Sequence, residues 1–182
     1  MSRPTLPAPD AAWLDSLSRD ALEAAATERT EAAWRLAREV FPALPRPALW
    51  FDLRGQSAGQ AHFGRGGLRL NRVLLEENRQ AFFVEIIPHE MAHWLVRHLE
   101  EGRRVRPHGH EWRTVMRRLY GLDPRVTHGF DTRRASPAPY RYTCDCREHH
   151  LGVRRHARIV AGQRYYCRHC RQWLRPVSDE SA

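Results

Sequence analysis

The chain has 182 residues, 42% hydrophobic and 28% charged, enough for one sizeable core plus a small satellite module and too balanced for wholesale disorder. Its longest apolar runs fall far short of a membrane span and its first residues carry prolines but no apolar signal core, so the expected compartment is the cytoplasm. All 30 basic residues are arginine, and the net charge of +9 sits in one place: residues 133–176 hold 11 Arg against two acids, Asp145 and Glu148.

Leu14, Leu17, Leu22, Ala25, Ala33, Leu36 and Val40 recur at roughly helical spacing and predict a helix from residue 15 or 18 to about 38. Pro42, Pro45 and Pro47 end it. Residues 48–53, with Trp50 and Phe51, read as a strand, 55–59 as a turn, and 61–63 and 67–70 as a hairpin arm and a further strand. The glycines there suit tight turns and do not match a phosphate loop. Residues 77–99 predict a helix with apolar Phe82, Ile86, Ile87, Met91, Leu95 and Val96, in which Pro88 makes a kink or a new first turn. A basic loop over 102–107 and a third helix over 111–120 follow, the latter closed by Gly121. Residues 133–139 read as a linker. Beyond them the chain predicts short strands at 140–144, 151–155, 158–161 and 164–167, with a hairpin turn at Gly162-Gln163. The expected organisation is α+β: a first domain over 1–132 with helices on a small sheet, the linker, a small ribbon over 140–176, and a tail over 177–182.

His89-Glu90-Met91-Ala92-His93 is an H-E-x-x-H motif. On a helix, positions i and i+4 share a face, so His89 and His93 can hold one metal ion, with Glu90 on the adjoining edge. Zinc in such a site acidifies water and polarises a carbonyl, and the glutamate takes the proton and returns it to the leaving amine. A catalytic zinc needs a third protein ligand. His108, His110 and Glu111 are candidates, and spacing does not choose between His108 and His110. His98 lies too far along the same face to join easily. For a group that stabilises the transition state, position alone marks His128, Arg113 and Tyr120.

Cys144-x-Cys146 and Cys167-x-x-Cys170 are 20 residues apart. In a reducing compartment such pairs read as a tetrahedral thiolate site for a structural zinc rather than as disulfides. His149, His150 and His169 are spare donors. The segment is too short for its own apolar core, so the metal would supply most of its folding energy. Around the cysteines, arginines interleave with Tyr140, Tyr142, Tyr165, Tyr166 and Trp173. Arginine for phosphates and aromatic faces for bases is the composition of a single-strand nucleic-acid binder, and Arg154, Arg155, Arg158, Arg164, Tyr165 and Arg168 are the expected contacts. The plainer alternative is a solvated basic surface whose aromatics fill a small core.

Four segments and the paired cysteines together resemble the SprT family, the bacterial relatives of the Spartan proteases that degrade proteins crosslinked to DNA. Residues 68–75, Leu-Arg-Leu-Asn-Arg-Val-Leu-Leu, and 87–93, Ile-Pro-His-Glu-Met-Ala-His, resemble its strand and zinc helix. Pro107-His108-Gly109-His110-Glu111-Trp112 resembles its H-G-x-E-W segment, whose first histidine is the third zinc ligand. Val153-Arg154-Arg155-His156 and the paired cysteines resemble its C-terminal zinc ribbon. The resemblance points to His108 over His110. It implies a zincin-like domain, one catalytic and one structural zinc, protein as substrate, and DNA, single-stranded or junction-containing, as partner. The competing reading is a zinc-ribbon nucleic-acid-binding or transcription-associated protein with a vestigial hydrolase site.

Overall fold

The computed structural model describes residues 6–101, 103 and 105–177. Gly102 and Arg104 of the expected basic loop, and all but Val177 of the expected tail, lie outside the described residues. The protein is α+β and divides into two compact units, Met1–Asp131 and Thr132–Ala182.

The first unit opens with α1 (Ala11–Ser16), whose N-cap Asp10 accepts a hydrogen bond from the Trp13 N–H at 2.7 Å. The helix expected from residue 15 or 18 starts at the later of the two, and the short α1 before it was not expected. Ser18 accepts from the Ala21 N–H, competes with a continuous helical backbone, and starts α2 (Arg19–Val40). The stripe Leu22, Ala25, Ala26, Ala33, Leu36 and Ala37 is buried. Full burial of a side chain such as Leu22 contributes about 1.5–3 kcal/mol.

The sheet comprises β1 (Ala48–Trp50), β2 (Gly59–His62) and β3 (Gly67–Leu70) in the order β1-β3-β2. β1 runs parallel to β3, and β2 pairs antiparallel with it, Ala61 opposite Leu68. A Cβ on Gly67 would lie 2.1 Å from the Ala48 carbonyl oxygen, so only glycine permits this approach of β1 and β3. Asn71 is buried, and its side chain donates to the Gly55 and Ser57 carbonyls and accepts from the Leu74 N–H. One residue thus holds the loop before β2 and caps α3 (Arg72–Glu77).

The helix expected over 77–99 is built in pieces, with Pro88 in the first turn of the last of them, one of the two outcomes expected for it. Asn78 separates α3 from the short α4 (Arg79–Ala81), a π-helical turn covers Phe82–Ile86, and α5 spans Ile87–Leu99. Pro88 has no N–H to donate and its ring crowds the preceding turn. The wide turn absorbs it, with the Ile87 N–H reaching back to the Phe82 carbonyl. α5 buries Ile87, Met91, Trp94 and Leu95 and packs on α2, on β2 and β3, and on α6 (His110–Arg118). Tyr120 is buried beyond α6, and its hydroxyl donates to the Ala33 carbonyl of α2.

The second unit has a sheet of β4 (Tyr140–Thr143), β5 (Glu148–Leu151) and β6 (Arg175–Pro176), ordered β5-β4-β6. The strands expected at 151–155 and 158–161 are instead one helix, α7 (Val153–Val160). Val153, Ile159 and Val160 look strand-like, but Gly152 opens a helix whose repeat turns His156 inward. The His156 ring stacks on Tyr140 at 3.6 Å between centroids, and its Nδ1 lies 2.9 Å from the Tyr142 hydroxyl. Gly162, at φ +93°, terminates α7 rather than turning a hairpin. The strand expected at 164–167 retains only a bridge between Tyr166 and Trp173. Among the described residues no helix is long and apolar enough to cross a membrane.

Candidate metal centres

His89 and His93 lie one turn apart on α5, and His108 reaches the same point from the turn before α6. The three Nε2 atoms form a triangle with edges of 3.2 Å (His89–His93), 3.0 Å (His93–His108) and 3.0 Å (His89–His108). A neutral imidazole carries one N–H, directed along its ring axis, so three rings meeting head to head cannot satisfy one another by hydrogen bonding. Three nitrogens converging in this way can hold a cation. Burial is the main reason that His89 is pulled down to about 4 and His93 to about 3, with neighbouring histidines adding to it. His108 is lowered too, by burial and then by Arg113. All three rings are therefore neutral near pH 7, the form that ligates metals.

Behind the triad stands Trp112, buried on α6, with its ring 4.6 Å from His89, 5.4 Å from His93 and 4.7 Å from His108 between centroids. Its Nε1 donates to the His89 carbonyl, which fixes the wall to the metal helix. His108 itself has φ +58°, a left-handed conformation that histidine adopts more readily than most residues. Gly109, the next residue, is needed for space and not for its backbone angle. Its φ is −70°, and a Cβ there would lie 2.9 Å from the Arg106 carbonyl oxygen. It provides room, while His108 makes the turn. His110, the other candidate, is exposed as the first residue of α6 and lies outside the triad. We expect His108→Ala to lose one bound metal ion per chain and His110→Ala to keep it, as read by metal analysis of the purified variants; the reverse pattern would reassign the ligand.

Glu90 is buried beside the triad, and its Oε2 accepts the Ala61 N–H of β2 at 2.9 Å. Burial raises its carboxyl to about 8, partly offset by that hydrogen bond. Of the other residues singled out by position, Tyr120 is engaged with Ala33, the Arg113 Nε donates to the His108 carbonyl, and the His128 Nε2 lies 3.0 Å from the Gln56 carbonyl oxygen. His98 turns back to the Trp94 carbonyl.

In the second unit the four thiols gather, each offering a sulfur within 4.8 Å of the others. Cys144 and Cys146 are 3.5 Å apart, and Cys146 and Cys167 3.7 Å. The Cys144 and Cys167 side chains are buried. This group too can hold a metal ion. His149 approaches from outside it, with Nε2 3.2 Å from the Cys144 sulfur.

A family model described as the SprT-like family matches residues 30–128, more than half the chain and every side chain of the histidine site. The chain belongs to the SprT-like family. It is 43% identical over 150 residues to Protein SprT of Pseudomonas paraeruginosa, covering 80% of this chain and 90% of that one. To Protein SprT of Shewanella oneidensis it is 41% identical over 149 residues, covering 81% and 94%. To that of Erwinia tasmaniensis it is 46% identical over 133 residues, covering 72% and 77%. No solved structure matches the chain.

The basic surface of this SprT-like chain lies on the cysteine unit. Arg154, Arg155 and Arg158 are exposed on α7, and Arg168 is exposed between the second pair of cysteines. The Arg164 guanidinium sits over the Trp173 ring, 4.6 Å from its centroid. Tyr165, the expected aromatic contact, is half-buried, whereas its neighbour Tyr166 is exposed and meets Trp173 edge to face. Sequence reasoning expected a hairpin arm at 61–63 but gave β2 no part in the site. Neither Gly59 nor Ala61 carries a local signal, and both touch Glu90 only because the hairpin folds against α5.

Proposed function

We propose that this chain is a zinc-dependent metallopeptidase of the SprT type that acts on DNA-associated or DNA-crosslinked proteins. The observation that carries the reading is the convergence of three neutral imidazole nitrogens beside a buried glutamate. Zinc fits both donor sets. Tetrahedral bonds of about 2.0–2.1 Å to nitrogen imply N–N separations of about 3.3–3.4 Å, and bonds of about 2.3 Å to sulfur imply about 3.8 Å. The nitrogens at 3.0–3.2 Å are close to these values, as are the two shortest sulfur separations, 3.5 Å for Cys144–Cys146 and 3.7 Å for Cys146–Cys167, with all four sulfurs within 4.8 Å of one another.

On this reading His89, His93 and His108 hold the catalytic ion, and Cys144, Cys146, Cys167 and Cys170 a structural one. Zinc at the histidines supplies Lewis acidity, acidifying water and polarising the scissile carbonyl. Glu90 supplies the proton transfer. Its Oε2 is held by the Ala61 N–H, so Oε1 is the oxygen that takes a proton and passes it to the leaving amine. Burial alone raises this carboxyl to about 8, and a cation held by the neighbouring histidines would lower it toward the ionised form that can accept a proton. Trp112 excludes water from behind the ligands, tied to α5 by its hydrogen bond to the His89 carbonyl.

Exposed Arg154, Arg155 and Arg158 together with the Arg164–Trp173–Tyr166 cluster support nucleic acid as the partner, with arginine contacting phosphates and aromatic faces stacking on bases. Replacing Arg154 and Arg155 by Gln is expected to weaken single-stranded DNA binding and to reduce the slope of log affinity against log salt by roughly 0.7 for each phosphate no longer neutralised. Fluorescence anisotropy over a salt series measures both, and unchanged curves would reduce the arginines to a solvated surface.

The same basic, aromatic surface also favours the second reading, a nucleic-acid-binding protein with a weak or vestigial hydrolase site. The two separate on incubation of the zinc-loaded protein and its Glu90→Gln variant with a histone, with and without single-stranded DNA. Cleavage by the parent alone, accelerated by DNA, is the expected result. No cleavage with both ions bound would leave the binding protein as the better account.

A further inference from the structure

Gly59 lies on β2, the edge strand of the first sheet. The antiparallel pairing directs the Ala58 and His62 carbonyls toward the β3 side, where they accept from Asn71 and Gly66. By strand alternation the Ala61 N–H faces the other way, and there it meets the Glu90 Oε2. Gly59 shares that side. A Cβ placed on it would lie 2.6 Å from the Glu90 Cγ, 2.8 Å from its Oε1 and 3.0 Å from its Cδ. Its φ lies outside the left-handed region, so the backbone would accept alanine. What position 59 requires is the absence of a side chain, and the three atoms nearest to that Cβ all belong to Glu90. Glu90 is itself buried on the packed helix α5, so it has little room to move aside.

We infer that Gly59 is a positioning residue, forming with the Ala61 N–H a two-point seat on β2 that sets where the Glu90 carboxylate stands relative to the three histidines. One point is a hydrogen bond that holds Oε2. The other is a hollow that admits Cγ and Oε1. The inference rests on the reading of Glu90 as the proton acceptor. Misplacing a reacting group by about 1 Å costs on the order of 10²-fold in rate, so a single methyl at residue 59 acts on turnover without touching a metal ligand.

The test is a double-mutant cycle of the full chain: the parent, Gly59→Ala, Glu90→Ala and the double variant, compared by thermal unfolding and by metal content. Gly59→Ala is expected to lower the unfolding midpoint by roughly 5 °C in the presence of Glu90, the effect of overpacking, and by less than half of that when Glu90 is Ala. Metal content should equal that of the parent throughout the Gly59 series. On the histone substrate, Gly59→Ala should lower kcat by about 10²-fold and leave KM within about twofold. If Gly59→Ala does not fold, the double variant should fold. An equal loss of stability in both backgrounds, loss of metal from Gly59→Ala, or parental kcat in that variant would each overturn the seat. Full turnover by Glu90→Gln would instead overturn the proton-acceptor reading, while the stability coupling between residues 59 and 90 would stand.

Discussion

Glu90→Gln is expected to retain the parent's metal content and to lose turnover by at least about 10²- to 10⁴-fold, the range that a positioned proton-transfer group contributes. Glutamine has the same length, and its amide oxygen can still accept the Ala61 N–H, so the side chain keeps its place against β2. It cannot take up a proton. The three imidazole donors are separate side chains from residue 90, so the substitution removes no ligand. Metal analysis combined with single-turnover cleavage measures both halves of this expectation. Retained turnover with metal bound would remove Glu90 from the chemistry and return the site to a purely structural or regulatory role. A variant that lost its metal would show that the carboxylate supports the ligands electrostatically.

The second large effect concerns stability. Stripping metal with a chelator, or replacing Cys167 by Ser, is expected to unfold the cysteine unit and leave residues 6–131 folded. Among the described residues, the buried hydrophobic side chains of the cysteine unit are Tyr142, Cys144, Leu151 and Cys167, and two of these four are thiols. The first unit buries Leu14, Leu22, Leu68, Leu70, Leu74, Leu75, Phe82, Ile87 and Leu95 completely. So small a core does not offset the conformational entropy of about 45 ordered residues, whereas a structural zinc contributes about 10–16 kcal/mol. Trp173 is the only tryptophan after Trp112, so it reports on the cysteine unit. Amide hydrogen exchange gives the same information for the whole chain. Full protection of residues 140–176 in chelator would show that the cysteines are not the staple of this unit.

The clustered thiols had a local signal, namely two close pairs in a chain with no other cysteine, and the structure brings all four together. The two histidines on α5 were equally legible, because i and i+4 on a helix meet whatever the rest of the chain does. Helical spacing similarly announced the buried face of α2, and the α+β character followed from alternating strand and helix patterns.

The third histidine was different. His108 and His110 are two residues apart with the same chemistry, and resemblance to a family, not spacing, favoured His108. In the structure a left-handed turn at His108 sends its ring to His89 and His93, while His110 begins α6 facing solvent. The ribbon strands failed for a related reason. Val and Ile at 153, 159 and 160 have strand propensity, but the decisive contact is His156 against Tyr140 and Tyr142 across the fold, and only a helix presents it. Local spacing thus determined the metal helix, the thiol pairs and the apolar faces, since these depend on neighbours within a turn or two. Tertiary structure decided what local spacing left open: it brings the His108 ring to His89 and His93, sets Trp112 behind them and places the Ala61 N–H on Glu90. Those interactions join residues at least 15 positions apart, and no periodicity in a sequence encodes which distant backbone will arrive beside a buried carboxylate.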